Sequence, residues 1–316
     1  MKVFSIPYFA ALVLPVAFCA SAAPKAYEAL YSDLKPVLDG SIMDDAAWAK
    51  ACWSEPFAQR MTGKTPKSAT RFKALYTGDA LYVAAECVES EMDKIADEHN
   101  AIEYWKCDVV ELFAIPHKEE MIHLVYSARN NANDEIPGAT AKRTRDMIGW
   151  AAKSRMLADR WTVEFCIPLN LLGVDPSAAD VRMPFNLCRN AAPKKELSSW
   201  SAQVGNGNFK DANTYGTIIL KATPASAAAA VKAAAARPHA ISLLRRWQSV
   251  RADPLWKPIL RTLPAEAAKL DALAAKLDLS RTDSAAFAET LAAVEKREAD
   301  ERVTKRVRIH RELFGD

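Results

Sequence analysis

Short apolar runs interrupted by turn-forming residues dominate the sequence from residue 36 to residue 222. The clearest are RFKALYT, ALYVAAECVE, DVVELFAIP, IHLVYSA, WTVEFCIPL, PFNLCRNA and TYGTIILKA. They are rich in β-branched and aromatic residues, with Gly, Pro, Asn and Asp between them. Many short strands at near-regular spacing favour an antiparallel β-sandwich of the jelly-roll or immunoglobulin-like kind over a sheet that alternates with helices. We therefore predict a mainly β fold over residues 25–222.

Residues 104–116, YWKCDVVELFAIP, predict the central strand, which is apolar from Val109 to Ile115 except for Glu111. Successive side chains of a strand alternate between its two faces, so Trp105, six positions before Glu111, falls on the same face. An aromatic ring beside a carboxylate complements a polar ligand of the size of a sugar. The alternative is that Trp105 closes the core and Glu111 pairs with a nearby Arg or Lys.

Four other features of this region indicate framework rather than function. Gly78-Asp79 predicts a hairpin turn, and 38–40 predicts a second turn. Residues 44–48 predict a short capped helix that packs Trp48 back on the sandwich. Glu164 stands mid-strand between Val163 and Phe165, which predicts a buried, paired structural acid.

The N-terminus predicts export. Residues 1–22 combine Lys2 with an apolar stretch and end in Ala20-Ser21-Ala22, the pattern of a cleaved signal peptide. We expect a periplasmic or extracellular protein. The net charge of +3, with acids and bases interspersed, lacks the electrostatic footprint of a nucleic-acid binder.

The cysteines of the predicted mature chain form an odd set without zinc-like spacing. Cys166 and Cys188 fall on two predicted strands, and a bridge between them is possible only if those strands are neighbours. The sequence leaves that pairing open.

No local signature of catalysis is present in the sequence. Asp108 and Glu111 are three apart, so on a strand they point to opposite faces and cannot form the facing pair that glycoside hydrolysis needs. The histidines are scattered, and neither HExxH nor GxSxG occurs. We predict that the protein is not an enzyme, although a link to glycosyl hydrolase systems remains compatible with the sequence.

The order of the motifs PVLDGSIMDDAAW, ALYTGDALYVAAECVE, YWKCDVVELFAIP, RWTVEFCIPLNLLG, FNLCR, SSW and YGTIILK is similar to that of carbohydrate-binding module family 9. The resemblance covers residues 36–221. It implies a β-sandwich that binds the reducing-end sugars of glycans in a slot between two tryptophans, with polar side chains at the hydroxyls, and in some members a structural calcium.

Carried over by position, the resemblance assigns six residues to saccharide binding: Trp105 and Trp200 as the two aromatic plates, and Glu111, Arg129, Asn186 and Arg189 as polar contacts. Arg129 is equally a counter-ion for Glu111. The stretch 127–146 departs from the family pattern as a long basic loop. Asp39, Asp44 and Asp45 are candidate calcium ligands, with turn and helix capping as the alternative.

Composition changes sharply after Lys221. Residues 223–238 are Ala-rich and predict a linker, and residues 239–316 predict an α-helical hairpin or bundle. Its apolar repeat includes Leu270, Leu273, Phe287, Leu291 and Val294. A protein or cell-envelope partner for these helices stays open.

Together these features predict an exported protein that binds glycan ends, as mono- or oligosaccharides, without catalysis and in support of polysaccharide breakdown. Two alternatives remain. One is a structural or adaptor sandwich without a ligand. The other is a haem-binding sandwich, for which Met121, His123 and Met183 are candidate axial ligands, although no CxxCH motif is present.

Overall fold

The structure, a computed structural model of the chain, describes residues 25–95, 106–117, 120–135, 150–201, 208–235, 247, 250–251, 254–275 and 286–300. The predicted signal peptide and Trp105 lie outside these residues. Within them, no helix is both long and apolar enough to cross a membrane.

The described residues form a 12-stranded sheet. The strands are β1 Ala26–Tyr31, β2 Ala58–Gln59, β3 Thr70–Tyr76, β4 Ala80–Val88, β5 Val109–His117, β6 Glu120–Ser127, β7 Ala132–Glu135, β8 Ala151–Met156, β9 Arg160–Pro168, β10 Val181–Ala191, β11 Glu196–Ser199 and β12 Gly216–Leu220. The helices are α1 Leu169–Leu172 and α2 Ala225–Ala235, followed by Lys257–Thr262, Pro264–Ala275 and 286–300. The prediction of a mainly β fold followed by helices is confirmed.

The strand order is β7-β6-β5-β10-β12-β1-β3-β4-β9-β8, and β11 joins β10 to β2. The strands from β7 to β12, with β11 and β2, form what we term the first layer, and β3, β4, β9 and β8 form the second. Strand β1 belongs to both layers, because Ala26–Ala29 pair with β12 and Leu30 and Tyr31 pair with β3.

Both pairings of β1 are parallel, which corrects the prediction of a wholly antiparallel sandwich. Parallel neighbours need a long crossover, and residues 32–69 supply one between β1 and β3. The predicted hairpin at Gly78-Asp79 is confirmed, since β3 and β4 pair antiparallel with Tyr76 opposite Leu81.

The main core lies between the two layers. Val110, Leu112 and Ala114 of β5 face it and are fully buried, as strand alternation from Glu111 predicts. The second layer contributes Leu81, Val83, Ala85 and Cys87 of β4, and the prediction that these four share one face is confirmed.

The core continues from the sandwich into the C-terminal helices. Helix α2 occupies part of the predicted linker, contacts α1, and buries Ala227, Val231 and Ala234. The predicted apolar repeat of the later helices is also buried in this core: Leu270, Leu273, Phe287, Leu291 and Val294. The antiparallel hairpin itself stays a prediction, because its connection lies outside the described residues.

Glu164 holds the chain between β1 and β2 against the second layer. Its buried carboxylate accepts hydrogen bonds from the amides of Asp39 at 3.2 Å and Gly40 at 2.7 Å, and from Trp48 Nε1 at 2.7 Å. Gly40 has φ +84°, and a Cβ there would lie 2.7 Å from the Cβ of Arg155. These contacts confirm the predicted roles of Glu164, Trp48 and the turn at 38–40.

We predict that Glu164→Gln lowers the free energy of unfolding by about 1–3 kcal/mol, because an amide offers one acceptor oxygen and turns an N–H group toward a donor that the carboxylate satisfies. Urea denaturation at neutral pH measures the change. The matched control is Glu55→Gln, whose side chain is 75% exposed and which should change stability by less than about 0.5 kcal/mol. Equal effects of the two substitutions would contradict this role.

Candidate functional site

The side of the first layer that points away from the core carries the candidate site, and we term it the outer face. One row of directly opposed residues crosses it from β6 to β2: Val125, Glu111, Cys188, Ser199 and Ala58. Glu111 is therefore the acidic position of an otherwise uncharged row that spans five strands.

Glu111 forms a fixed pair with His123 on the neighbouring strand. His123 Nε2 lies 2.8 Å from Glu111 Oε2, and both residues are buried, with Glu111 7% and His123 2% exposed. The ring of Phe113 stacks on the imidazole with centroids 4.2 Å apart and an interplanar angle of 10°. The carboxylate is thus oriented by a histidine, rather than by the Arg or Lys that the sequence suggested as its partner.

The second oxygen of this carboxylate remains available. In the part of the chain that the structure describes, Glu111 Oε1 accepts no hydrogen bond. A buried carboxylate with a spare acceptor favours a hydroxyl donor from outside, since an unmet acceptor costs free energy. Burial raises the pKa of the adjacent Cys188 thiol well above its usual range, and the charge of Glu111 adds to that shift.

Apolar and aromatic side chains surround the pair on the outer face. Phe113, Cys188, Phe209 and Tyr215 form a buried cluster against which Met121 packs. The hydroxyl of Tyr215 donates to the backbone carbonyl of Phe209 at 2.9 Å, which ties the Tyr215 side chain to that segment. A carboxylate set among flat apolar groups is the chemistry that a pyranose ring, with C–H faces and a hydroxyl rim, requires.

Trp200 is not on this face, which corrects its prediction as an open aromatic plate. Its side chain is 2% exposed and packs edge-on against Phe72 with centroids 5.3 Å apart. A Cβ on Gly216 would lie 2.6 Å from the indole, so that glycine makes room for it. Only part of Trp200 reaches the wall of a separate pocket of about 360 Å³, together with Trp53 and Lys25.

Asn186 lies on the outer face but is fully buried and engaged by protein. Its Oδ1 accepts the amide of Ser201 at 3.0 Å, and its Nδ2 donates to the Ser201 carbonyl at 3.4 Å. Asn186 therefore fixes the chain after β11 instead of meeting a ligand in this conformation.

Arg189 points into the core and is also fully buried, which corrects its prediction as a sugar contact. Its guanidinium donates from Nε and Nη2 to the two oxygens of Asp108, both at 3.1 Å, and from Nη1 to the Val88 carbonyl at 2.8 Å. Glu89 lies 3.5 Å away. Burial alone would lower the pKa of Arg189, but Cys87 and Asp108 raise it, so the group stays charged.

The two remaining predicted residues are placed differently. Arg129 is exposed and donates to the carbonyl of Ile95 at 3.3 Å, so it is not the counter-ion of Glu111. Trp105 lies outside the described residues, and its distance from Trp200 and from Glu111 stays a prediction. Among the five predicted residues that the structure describes, no two line one open slot.

Two of the three candidate calcium ligands cap backbone amides, and the third, Asp44, accepts the hydroxyl of Ser41 at 3.2 Å. Asp45 accepts the amides of Val37 and Ala47, both at 2.8 Å, and Asp39 accepts the amide of Ser41 at 2.7 Å. Among the described residues, no three His, Cys, Asp or Glu side chains gather as a metal site would require.

The structure also bears on three other sequence hypotheses. Asp108 faces the core while Glu111 faces outward, as the prediction from strand alternation states. Met183 belongs to the main core, whereas Met121 and His123 lie on the outer face, so the three candidate axial ligands of a haem do not share one slot. Cys166 and Cys188 lie on β9 and β10, in different layers, and no disulfide joins them.

Comparisons with known proteins identify the family of the chain. The family model described as "Carbohydrate family 9 binding domain-like" matches residues 38–223, and the chain belongs to this family. Its function class is non-catalytic carbohydrate binding. No curated protein matches the chain.

Of the solved structures that are similar to this chain, three each align with 63% of it. Two are a carbohydrate binding module family 9 from Caldicellulosiruptor kristjanssonii, with cellotriose (22% identity, 95% of that chain, TM-score 0.48) and with glucose (21%, 97%, 0.48). The third is a candidate carbohydrate-binding protein from Bacteroides uniformis ATCC 8492, at 12% identity over 100% of that chain with a TM-score of 0.50. The last likeness supports the fold.

Sequence reasoning missed the role of His123 beside Glu111. In the structure, MIHLVYSA forms a hairpin with the central strand and places His123 opposite Phe113. The hairpin register was the missing information, and a histidine on a neighbouring strand has no spacing signature relative to its carboxylate.

We predict that Arg189→Met lowers the free energy of unfolding by about 3–5 kcal/mol, because it leaves Asp108 buried without its cation. Urea denaturation at neutral pH measures the loss. The control is Arg71→Met. Arg71 pairs with Glu86 and its side chain is 40% exposed, and Glu86 would still pair with Arg160 after the substitution. We therefore expect the control to lower stability by no more than about 1 kcal/mol. A loss for Arg189→Met no larger than that of the control would contradict the framework role.

Proposed function

We propose that the protein binds saccharides at the outer face, with the free oxygen of Glu111 as the acceptor for a sugar hydroxyl. The observation that carries the proposal is the family match over residues 38–223. The Glu111–His123 pair at 2.8 Å supports it, because the pair presents an oriented carboxylate among aromatic and apolar side chains.

The chemistry favours a neutral glucan-like ligand as the first candidate. Neighbouring structures contain cellotriose and glucose, and β-linked glucose offers equatorial hydroxyls around an apolar ring. A hydrogen bond from a hydroxyl to a charged acceptor is stronger than a neutral one. Affinity should still be modest, since desolvating the remaining hydroxyls offsets much of the gain.

In this proposal Trp200 is not a wall of the binding site, unlike in the predicted slot between two tryptophans. Trp200 supports the fold from inside, and Trp105 remains a candidate plate that precedes β5. Asn186 and Arg189 position the strands on which the site is built. Arg129 remains a candidate for contact with a longer ligand.

We further propose that the protein is exported, acts in the periplasm or outside the cell, and supports polysaccharide breakdown. The signal-like residues 1–22 support export. The helices after residue 223 are candidates for contact with a protein or the cell envelope.

Calorimetric titration with cellotriose, cellobiose, xylobiose and glucose tests the binding site. We expect Glu111→Gln to weaken binding of the best ligand about tenfold, because it replaces a charged acceptor by a neutral one at a cost of about 1.4 kcal/mol. The control, Asp159→Asn at the turn between β8 and β9, removes a carboxylate that is 64% exposed and should leave affinity unchanged. Absence of binding by all four sugars would refute the proposal.

N-terminal sequencing of the protein secreted by an expression host tests export. We expect a mature chain that starts at Ala23, because the small residues Ala20 and Ala22 precede that bond. Recovery of the intact chain from the cytoplasmic fraction alone would contradict the prediction. A substitution of Ala20 by Trp should block cleavage, since the signal requires small residues at that position.

A further inference from the structure

A basic pocket opens at the edge of the first layer, where β2 pairs with β11. Its volume is about 370 Å³, and four of its lining residues are Arg60, Lys67, Lys194 and Lys195. The pocket borders the outer face, because Leu197 lines it and also packs against the aromatic cluster around Phe113.

Arg60 is the residue that most needs a ligand. Its guanidinium lies over the ring of Phe209, 5.0 Å from the centroid, which holds the side chain in place. Its Nε is buried without a hydrogen-bond partner. Within the described chain the guanidinium makes no ion pair. A half-buried arginine with unused donors carries a cost that a bound anion would remove.

The charges around the pocket do not cancel. Lys194 is 3.0 Å from Glu91, so that pair is neutral. The carboxylate of Glu196 accepts Gln59 Nε2 at 2.6 Å and the amides of Ser68 and Lys67 at 2.9 and 3.1 Å, which occupies its oxygens. Among the described residues, the ammonium groups of Lys67 and Lys195 form no salt bridge. Three cations therefore face one engaged carboxylate.

The pocket is larger than a bare anion requires and has an apolar side. Met61 lines it and is 48% exposed.

Arg60 and Glu111 also act on the same buried thiol, since Glu111 raises the pKa of Cys188 and Arg60 opposes that shift. Strand β2 is three strands from β5, or about 14 Å at the usual spacing, which is the length of a short oligosaccharide.

We propose that this pocket binds the anionic group of an acidic saccharide, either the carboxylate of a uronic acid or a sulfate ester. The inference rests on the proposed function, because it extends the site at Glu111 along the outer face. Arg60 supplies the planar pair of donors that carboxylate and sulfate oxygens accept. Lys67 and Lys195 supply further positive charge at the mouth.

Titration of the full chain with three trisaccharides tests the proposal, because a trisaccharide can span the distance from Glu111 to Arg60: cellotriose, and cellotriose that carries a carboxylate or a sulfate at one terminal C6. We expect at least one acidic trisaccharide to bind about tenfold more tightly than cellotriose, with a gain that shrinks as salt is added. The comparison of the two acids identifies the anionic group. Arg60→Gln should abolish the gain, whereas Arg182→Gln, an exposed position at the other end of β10, should keep it.

Equal binding of cellotriose and both acidic trisaccharides would overturn the proposal. So would binding of sodium acetate, sodium sulfate or a tri-glutamate peptide as tightly as the acidic sugars, because the pocket would then be a general anion patch. If Arg60→Gln unfolds, the exposed Lys195→Gln replaces it and should reduce the gain. Failure of the proposed function would give a different result. In that case cellotriose does not bind the wild-type chain, independently of how the acidic sugars bind.

Discussion

The buried guanidinium of Arg189 joins the two layers of the sandwich. It bonds Asp108 within the first layer and the carbonyl of Val88 in the second, and it lies 5.9 Å from the ring of Trp161. A cation in an apolar core is tolerated only when its donors are met, so the strands that carry these acceptors must keep their relative positions. The register of β10 against β5, and with it the outer face, depends on this contact.

The outer face carries an acidic group near one edge and a basic group at the other. Glu111 is held by His123 near the β6 side, and Arg60 is held by Phe209 at the β2 side. Both are ionisable groups kept in place by an aromatic or imidazole ring, and each keeps unused bonding capacity. The rigid sheet between them fixes their separation, which is what a polar ligand with several attachment points exploits.

The fold was largely predictable, because alternating apolar residues and turn-forming residues can be recognised directly in the sequence. Glu164 was predicted correctly as a structural acid, since it interrupts an apolar strand on which a charge needs a partner. Arg189 was assigned wrongly, because its position in the family motif was taken as a ligand contact although it shares its face with the buried Phe185 and Leu187. The pairing of Glu111 with His123 required the hairpin register, and the inward turn of Trp200 depends on the space left by Gly216, neither of which a linear pattern contains.

Strand β1 has a consequence for folding order. It is paired on one side with β3 and on the other with Gly216–Leu220 of β12, so the two layers meet only when distant stretches of chain come together. Contacts of such high sequence separation slow folding. During synthesis β1 and β3 emerge early, and the edge reserved for β12 stays uncovered until almost the whole sandwich has been translated. This interval is when an open strand edge invites association with other chains.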